Sequence, residues 1–105
     1  MESELLFADV IEDLLRAKKN GALYVAVVET SEDLIRMYFK DGQIYHLRYG
    51  TALGNDCLDI LEYYNLHSAT FFEGIKAPDK SATDLPSTDK IMARIKLMNK
   101  KIKVK

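Results

Sequence analysis

The dipeptide Asp41-Gly42 constrains the fold of this chain more than any other feature of its sequence. It lies between LIRMYFK and QIYHLRY, two stretches rich in the β-branched and aromatic residues that favour strands. Asp-Gly readily adopts the positive φ angles of a two-residue hairpin turn. The sequence therefore predicts an antiparallel hairpin over residues 34–49. Counting outward from the turn predicts these facing pairs: Phe39 with Ile44, Tyr38 with Tyr45, Met37 with His46, and Arg36 with Leu47.

Both faces of the predicted hairpin carry large apolar side chains. One face would hold Ile35, Met37, Phe39, Ile44, His46 and Arg48, and the other Leu34, Arg36, Tyr38, Tyr45, Leu47 and Tyr49. An antiparallel sheet with one solvated side usually shows one clearly polar face. We therefore expect both faces to be covered, either by helices of this chain or by a second molecule.

The remainder of the chain predicts three helices and two further strands. Apolar residues at helical spacing indicate the helices, and runs of β-branched and aromatic residues indicate the strands. The predicted helices cover about 5–18, 55–64 and 87–105, and the predicted strands cover 22–29 and 69–74. Ser87 and Thr88 are both good N-caps for the last helix.

These elements predict an α+β fold in which a small antiparallel sheet is packed by three helices. We expect an α+β core over 1–75, a linker-like segment over 76–86, and a basic amphipathic helix over 87–105 that packs on the core. A chain of 105 residues has the usual size of one domain. The three parts are therefore interpreted as a single domain.

Composition excludes several classes of protein. A formal net charge of −1 gives no general attraction to nucleic acid or to an anionic membrane. The N-terminal residues are acidic where a secretory signal would be basic. No stretch approaches the ~18 consecutive apolar residues that a membrane-spanning helix needs. The single cysteine, Cys57, cannot form an internal disulfide, which fits the reducing cytoplasm where we expect this protein to reside.

The residues that could carry chemistry are few. Cys57 with His46 or His67 could form a thiol nucleophile and its base. We favour a structural role for Cys57, because it lies on the apolar side of the second predicted helix, where a thiol is a small hydrophobic group. Two histidines and one cysteine show no ligand spacing for zinc. We therefore expect no catalytic residue, no metal site and no cofactor.

The C-terminal segment is strongly basic. After Asp89 it contains seven basic residues and no acidic one. A basic helix can bind nucleic acid or an anionic membrane surface. We favour the alternative of a solvated helix face, because no aromatic residue is present there to stack on bases.

The apolar residues of the same segment form a narrow stripe at helical spacing: Ile91, Ile95, Met98 and Ile102. Such a stripe can dock on the sheet of its own chain or pair with a second subunit. Docking on the chain's own sheet is the interpretation that we favour, and the seam between subunits stays open as the alternative.

The order of elements and several motifs resemble the PATAN-like family of bacterial signalling domains, named for the N-terminal domain of the protein PatA. The family pattern runs from a first helix to a glycine-started strand, an Asp-Gly hairpin, a second helix and an aromatic strand. The matching segments are Asn20-Gly21-Ala22-Leu23-Tyr24-Val25, Met37-Tyr38-Phe39-Lys40-Asp41-Gly42-Gln43-Ile44-Tyr45-His46-Leu47, Gly54-Asn55-Asp56-Cys57-Leu58 and Thr70-Phe71-Phe72. Leu47 departs from the family pattern, which has a small alanine there.

The resemblance implies a non-enzymatic protein–protein interaction module, or adaptor, in bacterial signal transduction or motility regulation. It brings no catalytic residue. Large tyrosines are effective at interfaces, and we predict a homodimer or another protein partner bound through Tyr24, Tyr38, Tyr45, Tyr49, Ile91, Ile95, Met98 and Ile102. Two alternatives stay open: a small-ligand sensor that uses the tyrosine-rich sheet face, and nucleic-acid binding through the basic C-terminal helix.

Overall fold

A computed structural model describes residues 4–78 and 85–104 of the chain. The helices are α1 (Phe7–Arg16), α2 (Asn55–Tyr63) and α3 (Thr88–Met98). The strands are β1 (Glu4–Leu6), β2 (Gly21–Val27), β3 (Ile35–Lys40), β4 (Gln43–Tyr49), β5 (Ala52–Leu53), β6 (Leu66–Glu73) and β7 (Lys101–Val104). The predicted linker-like segment 76–86 falls largely on residues 79–84, which lie outside the described residues.

The described strands form one sheet in the order β1-β7-β6-β2-β3-β4-β5. Every neighbouring pair is antiparallel except β6 and β7, which run parallel. The predicted α+β class is confirmed. The sheet is mostly antiparallel, as predicted, but it is mixed and, with seven described strands, larger than the small sheet that was expected.

The register between β3 and β4 differs from the predicted one. These strands pair antiparallel with Asp41 and Gly42 between them, at φ values of 52° and 76°. Phe39 faces Ile44 as predicted, but a register shift follows, and Tyr38 faces His46 instead of Tyr45. A β-bulge adds one residue to a strand, and a shift of one residue turns every later side chain to the opposite face.

Because of the bulge, both hairpin faces differ in composition from the prediction. Leu47 lies opposite Met37, and both are fully buried in the core. His46 lies opposite Tyr38, and Arg48 lies opposite Arg36. Leu47 and Tyr49 therefore exchange faces with His46 and Arg48 relative to the prediction.

All three helices pack on one face of the sheet. The core combines strand residues such as Leu23, Met37 and Leu47 with apolar residues from each helix. The helix residues in this core are Phe7, Ile11, Cys57, Leu58, Leu61, Ile91, Met92 and Ile95. No helix in the described part of the chain covers the second face of the sheet.

The last predicted helix is shorter than expected. The Ser87 side chain accepts a hydrogen bond from the Lys90 backbone N–H at 3.4 Å, which makes Ser87 the N-cap. Asn99 adopts a left-handed conformation at φ 52° and ends α3. The chain then forms β7, so the prediction of a helix to residue 105 is wrong. Within the described ranges, no helix is long and apolar enough to cross a membrane.

Candidate functional site

The second face of the sheet is organised as two rows of side chains that cross four strands. The first row contains Phe72, Ala22, Tyr38 and His46, and the second contains Thr70, Tyr24, Arg36 and Arg48. Directly opposite residues in antiparallel strands share one face and contact each other. We call these eight residues the Tyr–Arg face.

Aromatic and cationic groups are in contact across the centre of this face. The ring centroids of Tyr24 and Phe72 lie 5.1 Å apart. The Arg36 guanidinium carbon lies 5.4 Å from the centre of the Tyr24 ring, a cation–π arrangement. Phe72 is 42% exposed, and Tyr24 and Arg36 are half-buried. The Tyr–Arg face therefore offers solvent an apolar group beside a charged one.

Arg36 and Arg48 lie directly opposite each other on adjacent strands. A carboxylate oxygen of Asp33 lies 3.7 Å from Nη2 of Arg36. The Nε–H of Arg48 donates to the Gly50 carbonyl at 2.9 Å. Like charges directly opposite each other destabilise a sheet. Among the described residues, Arg48 has no carboxylate partner.

His46 is the least satisfied polar side chain of the face. It is only 2% exposed, and neither ring nitrogen has a hydrogen-bond partner among the described residues. The Tyr38 ring lies 5.4 Å from its ring. Burial, followed by the nearby Arg48 charge, lowers the pKa of His46. Burial therefore favours the neutral form of the imidazole.

The chain after β6 passes along one end of the Tyr–Arg face. The Gly74 N–H donates to the Asn20 carbonyl at 2.9 Å, and the Ala77 N–H donates to the Tyr45 hydroxyl at 3.0 Å. A cleft of about 640 Å³ lies there, lined by Asn20, Tyr45 and residues 74–78 among others. A second cleft of about 290 Å³ is lined by His46, Arg48, Gly50, Thr51, Leu53 and Pro78.

The four tyrosines predicted to bind a partner occupy different places. Tyr24 and Tyr38 lie on the Tyr–Arg face, and Tyr45 lies at its end, 6.3 Å from Tyr38 between ring centroids. Tyr49 instead packs on Tyr64 at 6.1 Å and is part of the helix-covered side. The bulge separates Tyr49 from the other three, so their predicted common surface is corrected.

The four apolar C-terminal residues predicted to bind a partner pack within this chain. Ile91, Ile95 and Ile102 are at most 1% exposed, and the half-buried Met98 packs against the same core. Ile102 reaches the core from β7 rather than from a helix. Docking within the chain, the favoured alternative, therefore describes these residues, and Met98 alone keeps part of its side chain exposed.

The structure does not assemble a thiol–imidazole pair. Cys57 is fully buried in the core on the helix side of the sheet, and burial raises the pKa of its thiol to about 12. His46 lies on the opposite face, and His67 is exposed on β6. The described residues include no cluster of three or more histidine, cysteine, aspartate or glutamate side chains that could hold a metal.

Several basic C-terminal side chains are engaged within the fold. Arg94 of α3 lies 2.9 Å from the Asp59 carboxylate and 2.6 Å from that of Glu62 on α2. The ammonium group of Lys96 lies 3.3 Å from Glu12. Lys100 donates to the backbone carbonyls of Leu61, Glu62 and Tyr64 at the end of α2. These contacts attach the C-terminal segment to α1 and α2 and compensate much of its charge.

Four residues of the Tyr–Arg face were not predicted to bind a partner: Arg36, His46, Arg48 and Phe72. The signal for Phe72 was present, because adjacent aromatic residues in a strand must lie on opposite faces and Phe71 fits the core. His46, Arg36 and Arg48 share one face only because of the bulge, and the Asp-Gly hairpin motif does not indicate a bulge.

Comparison of the chain with family models, with curated proteins and with solved structures returned no match. The resemblance to the PATAN-like family stays a prediction.

Proposed function

We propose that this protein is a non-enzymatic protein–protein interaction module that docks a partner on its Tyr–Arg face. The observation that carries the proposal is the position of that face, on the side of the sheet opposite all three helices. In line with the resemblance noted above, the proposed role of the module is in bacterial signal transduction or motility regulation.

The chemistry of the face supports docking of a protein. Tyrosine, phenylalanine and arginine are enriched at the centres of interfaces, where they bury large areas at low entropy cost. Tyr24 already contacts both Phe72 and Arg36, so these side chains are ordered before a partner arrives. Preorganised side chains lose little conformational freedom on binding.

Small-ligand sensing is the second candidate. The cleft of about 640 Å³ beside Tyr45 has the volume of a small-molecule site. The Tyr45 hydroxyl there accepts a backbone hydrogen bond from Ala77, so that polar group is already engaged by the chain. The Tyr–Arg face, by contrast, exposes Phe72 beside half-buried arginines, which favours a macromolecular partner.

Retention of partners from a lysate of the native host tests the proposal. We expect Phe72→Ser to abolish retention of the specific partner, because it removes an exposed apolar group from the face. Tyr63→Ser is the matched control, since Tyr63 lies on α2 and is 86% exposed. Proteins retained by the wild-type chain should be identified by mass spectrometry. Equal retention by the wild type and Phe72→Ser would reject the docking surface.

A further inference from the structure

We infer that Arg36 and Arg48 form an anion-binding pair, and that the partner fills it with a carboxylate side chain. This inference rests on the docking function proposed above and specifies the chemistry of the partner. The occupant is an acidic residue in a protein segment whose neighbouring side chains are apolar.

The register of β3 and β4 brings two arginines together. Arg36 and Arg48 are directly opposite on β3 and β4, where side chains start only ~4.5–5.5 Å apart. Both guanidinium groups stay charged at every physiological pH. An oxyanion between them would turn a repulsive pair into two charge-assisted hydrogen-bonding interactions.

The charges near the two arginines determine how many negative charges the partner must carry. Asp33, 3.7 Å from Arg36, offsets one arginine. Arg48 uses its Nε–H on the Gly50 carbonyl, and its two terminal nitrogens have no acceptor in the described part of the chain. One carboxylate on the partner would therefore balance the remaining charge.

His46 provides an independent indication of an absent polar group. Its imidazole is 2% exposed and without a hydrogen-bond partner among residues 4–78 and 85–104. It lines the same small cleft as Arg48 and the exposed Thr51. Buried polar groups in folded proteins normally find a partner. The cleft therefore combines a cation, a hydroxyl and an unsatisfied imidazole, which is a suitable environment for a carboxylate.

A protein carboxylate fits this surface better than the phosphates of a nucleic acid. Arg36 lies over the Tyr24 ring and Phe72 packs against it, so the ring is not open for a base to stack. A carboxylate side chain needs no stacking surface.

The width of the sheet also sets the distance between the carboxylate and the apolar group on the partner. Arg48 and Phe72 belong to β4 and β6, which are separated by β3 and β2. Three inter-strand steps span about 14 Å. A partner segment that engages both residues therefore carries its carboxylate and its apolar group roughly that far apart.

Binding of short labelled peptides by fluorescence anisotropy tests the anion site directly. The probes are a polyglutamate peptide, a polyglutamine peptide of equal length, and an oligothymidylate of equal charge. We expect the full chain to bind polyglutamate, with affinity falling about tenfold in Arg48→Gln. Lys90→Gln removes an exposed charge from α3 and should bind like the wild type. Arg48→Lys keeps the charge but loses the planar fork, and should bind more weakly than the wild type.

The binding results distinguish a failure of the carboxylate site from a failure of docking. Equal polyglutamate binding by the wild type and Arg48→Gln, or tighter binding of oligothymidylate than of polyglutamate, would overturn the inference. Thermal melting of Arg48→Gln should differ little from that of the wild type, because removal of a like-charge contact offsets loss of the hydrogen bond to Gly50. A lysate partner that is lost in Phe72→Ser but fully retained by Arg48→Gln would leave docking intact and reject the carboxylate.

Discussion

At the scale of single residues, His46 combines deep burial with two unsatisfied ring nitrogens. Its folded-state pKa is lowered from the ordinary value of 6.5, mainly by burial. The unfolded chain therefore binds the proton more readily than the folded one. The free energy of unfolding is unaffected by this group above pH 6.5, and it falls as pH drops from 6.5 toward the folded-state pKa.

We predict that His46→Leu removes this loss of stability at acidic pH. The substitution replaces a buried, unpaired imidazole by an apolar group of similar size, a change that is often neutral or stabilising. Urea unfolding at a series of pH values between neutral and mildly acidic measures the effect. His67→Gln is the control, because His67 is exposed on β6 and should leave the wild-type pH dependence in place. A wild-type pH dependence in His46→Leu would contradict the assignment.

At the scale of elements, the C-terminal segment is held by Lys100. Its ammonium group donates to the Leu61 and Glu62 carbonyls at 2.6 Å and also to that of Tyr64. These carbonyls lie at the end of α2, where a helix leaves acceptors unpaired and where its dipole favours a cation.

We predict that Lys100→Met destabilises the fold by about 1–2 kcal/mol, because it leaves these helix-end carbonyls without a donor. The adjacent Lys101→Met should change stability by less than about 0.5 kcal/mol, because Lys101 is exposed on β7. Chemical denaturation of the two variants makes the comparison. Equal effects of the two substitutions would show that Lys100 has no special role.

Sequence patterns predict elements with many local signals and miss those that depend on distant partners. The helix at 55–64 matches α2, because its apolar spacing is long and regular. Strands β1 and β7 have only three and four residues; β1 pairs with β7, and β7 also pairs with the distant strand β6. Their sequences ELL and KIKV carry no strand signal strong enough to be recognised alone.

The candidate site was predictable only in part for a similar reason. The tyrosines at 24 and 38 follow from strand composition. The arginine pair needs the bulge between β3 and β4, which reverses the side-chain alternation after Tyr45. Nothing in the residues around the Asp41-Gly42 turn indicates that one strand contains an extra residue, so the predicted face was incorrect beyond Ile44.

At the scale of the whole molecule, the predicted homodimer stays a prediction, but most of the apolar C-terminal stripe that could have formed its interface is buried. Ile91, Ile95 and Ile102 lie in the core and cannot form a seam between subunits. A two-fold symmetric contact places the same surface of both subunits together. Through the Tyr–Arg face, such a contact would bring four arginine side chains to one interface.

We therefore expect a symmetric dimer, where it forms, to be weakened at low salt, because repulsion between arginines is then least screened. Sedimentation equilibrium over a wide range of concentrations and at two salt concentrations measures this. A mass that stays at 12.0 kDa throughout would reject the homodimer. A dimer that is insensitive to salt would place its interface away from the arginine pair.

Site-specific photo-crosslinking in cells of the native host tests most directly whether the Tyr–Arg face docks a protein. A benzophenone-bearing amino acid at position 72 samples the face, and the same group at position 63 samples an equally accessible site on α2. The docking account predicts one discrete crosslinked product from position 72, containing the chain and a single partner, and none from position 63. A crosslink from position 63 alone, or no crosslink from position 72, would contradict it.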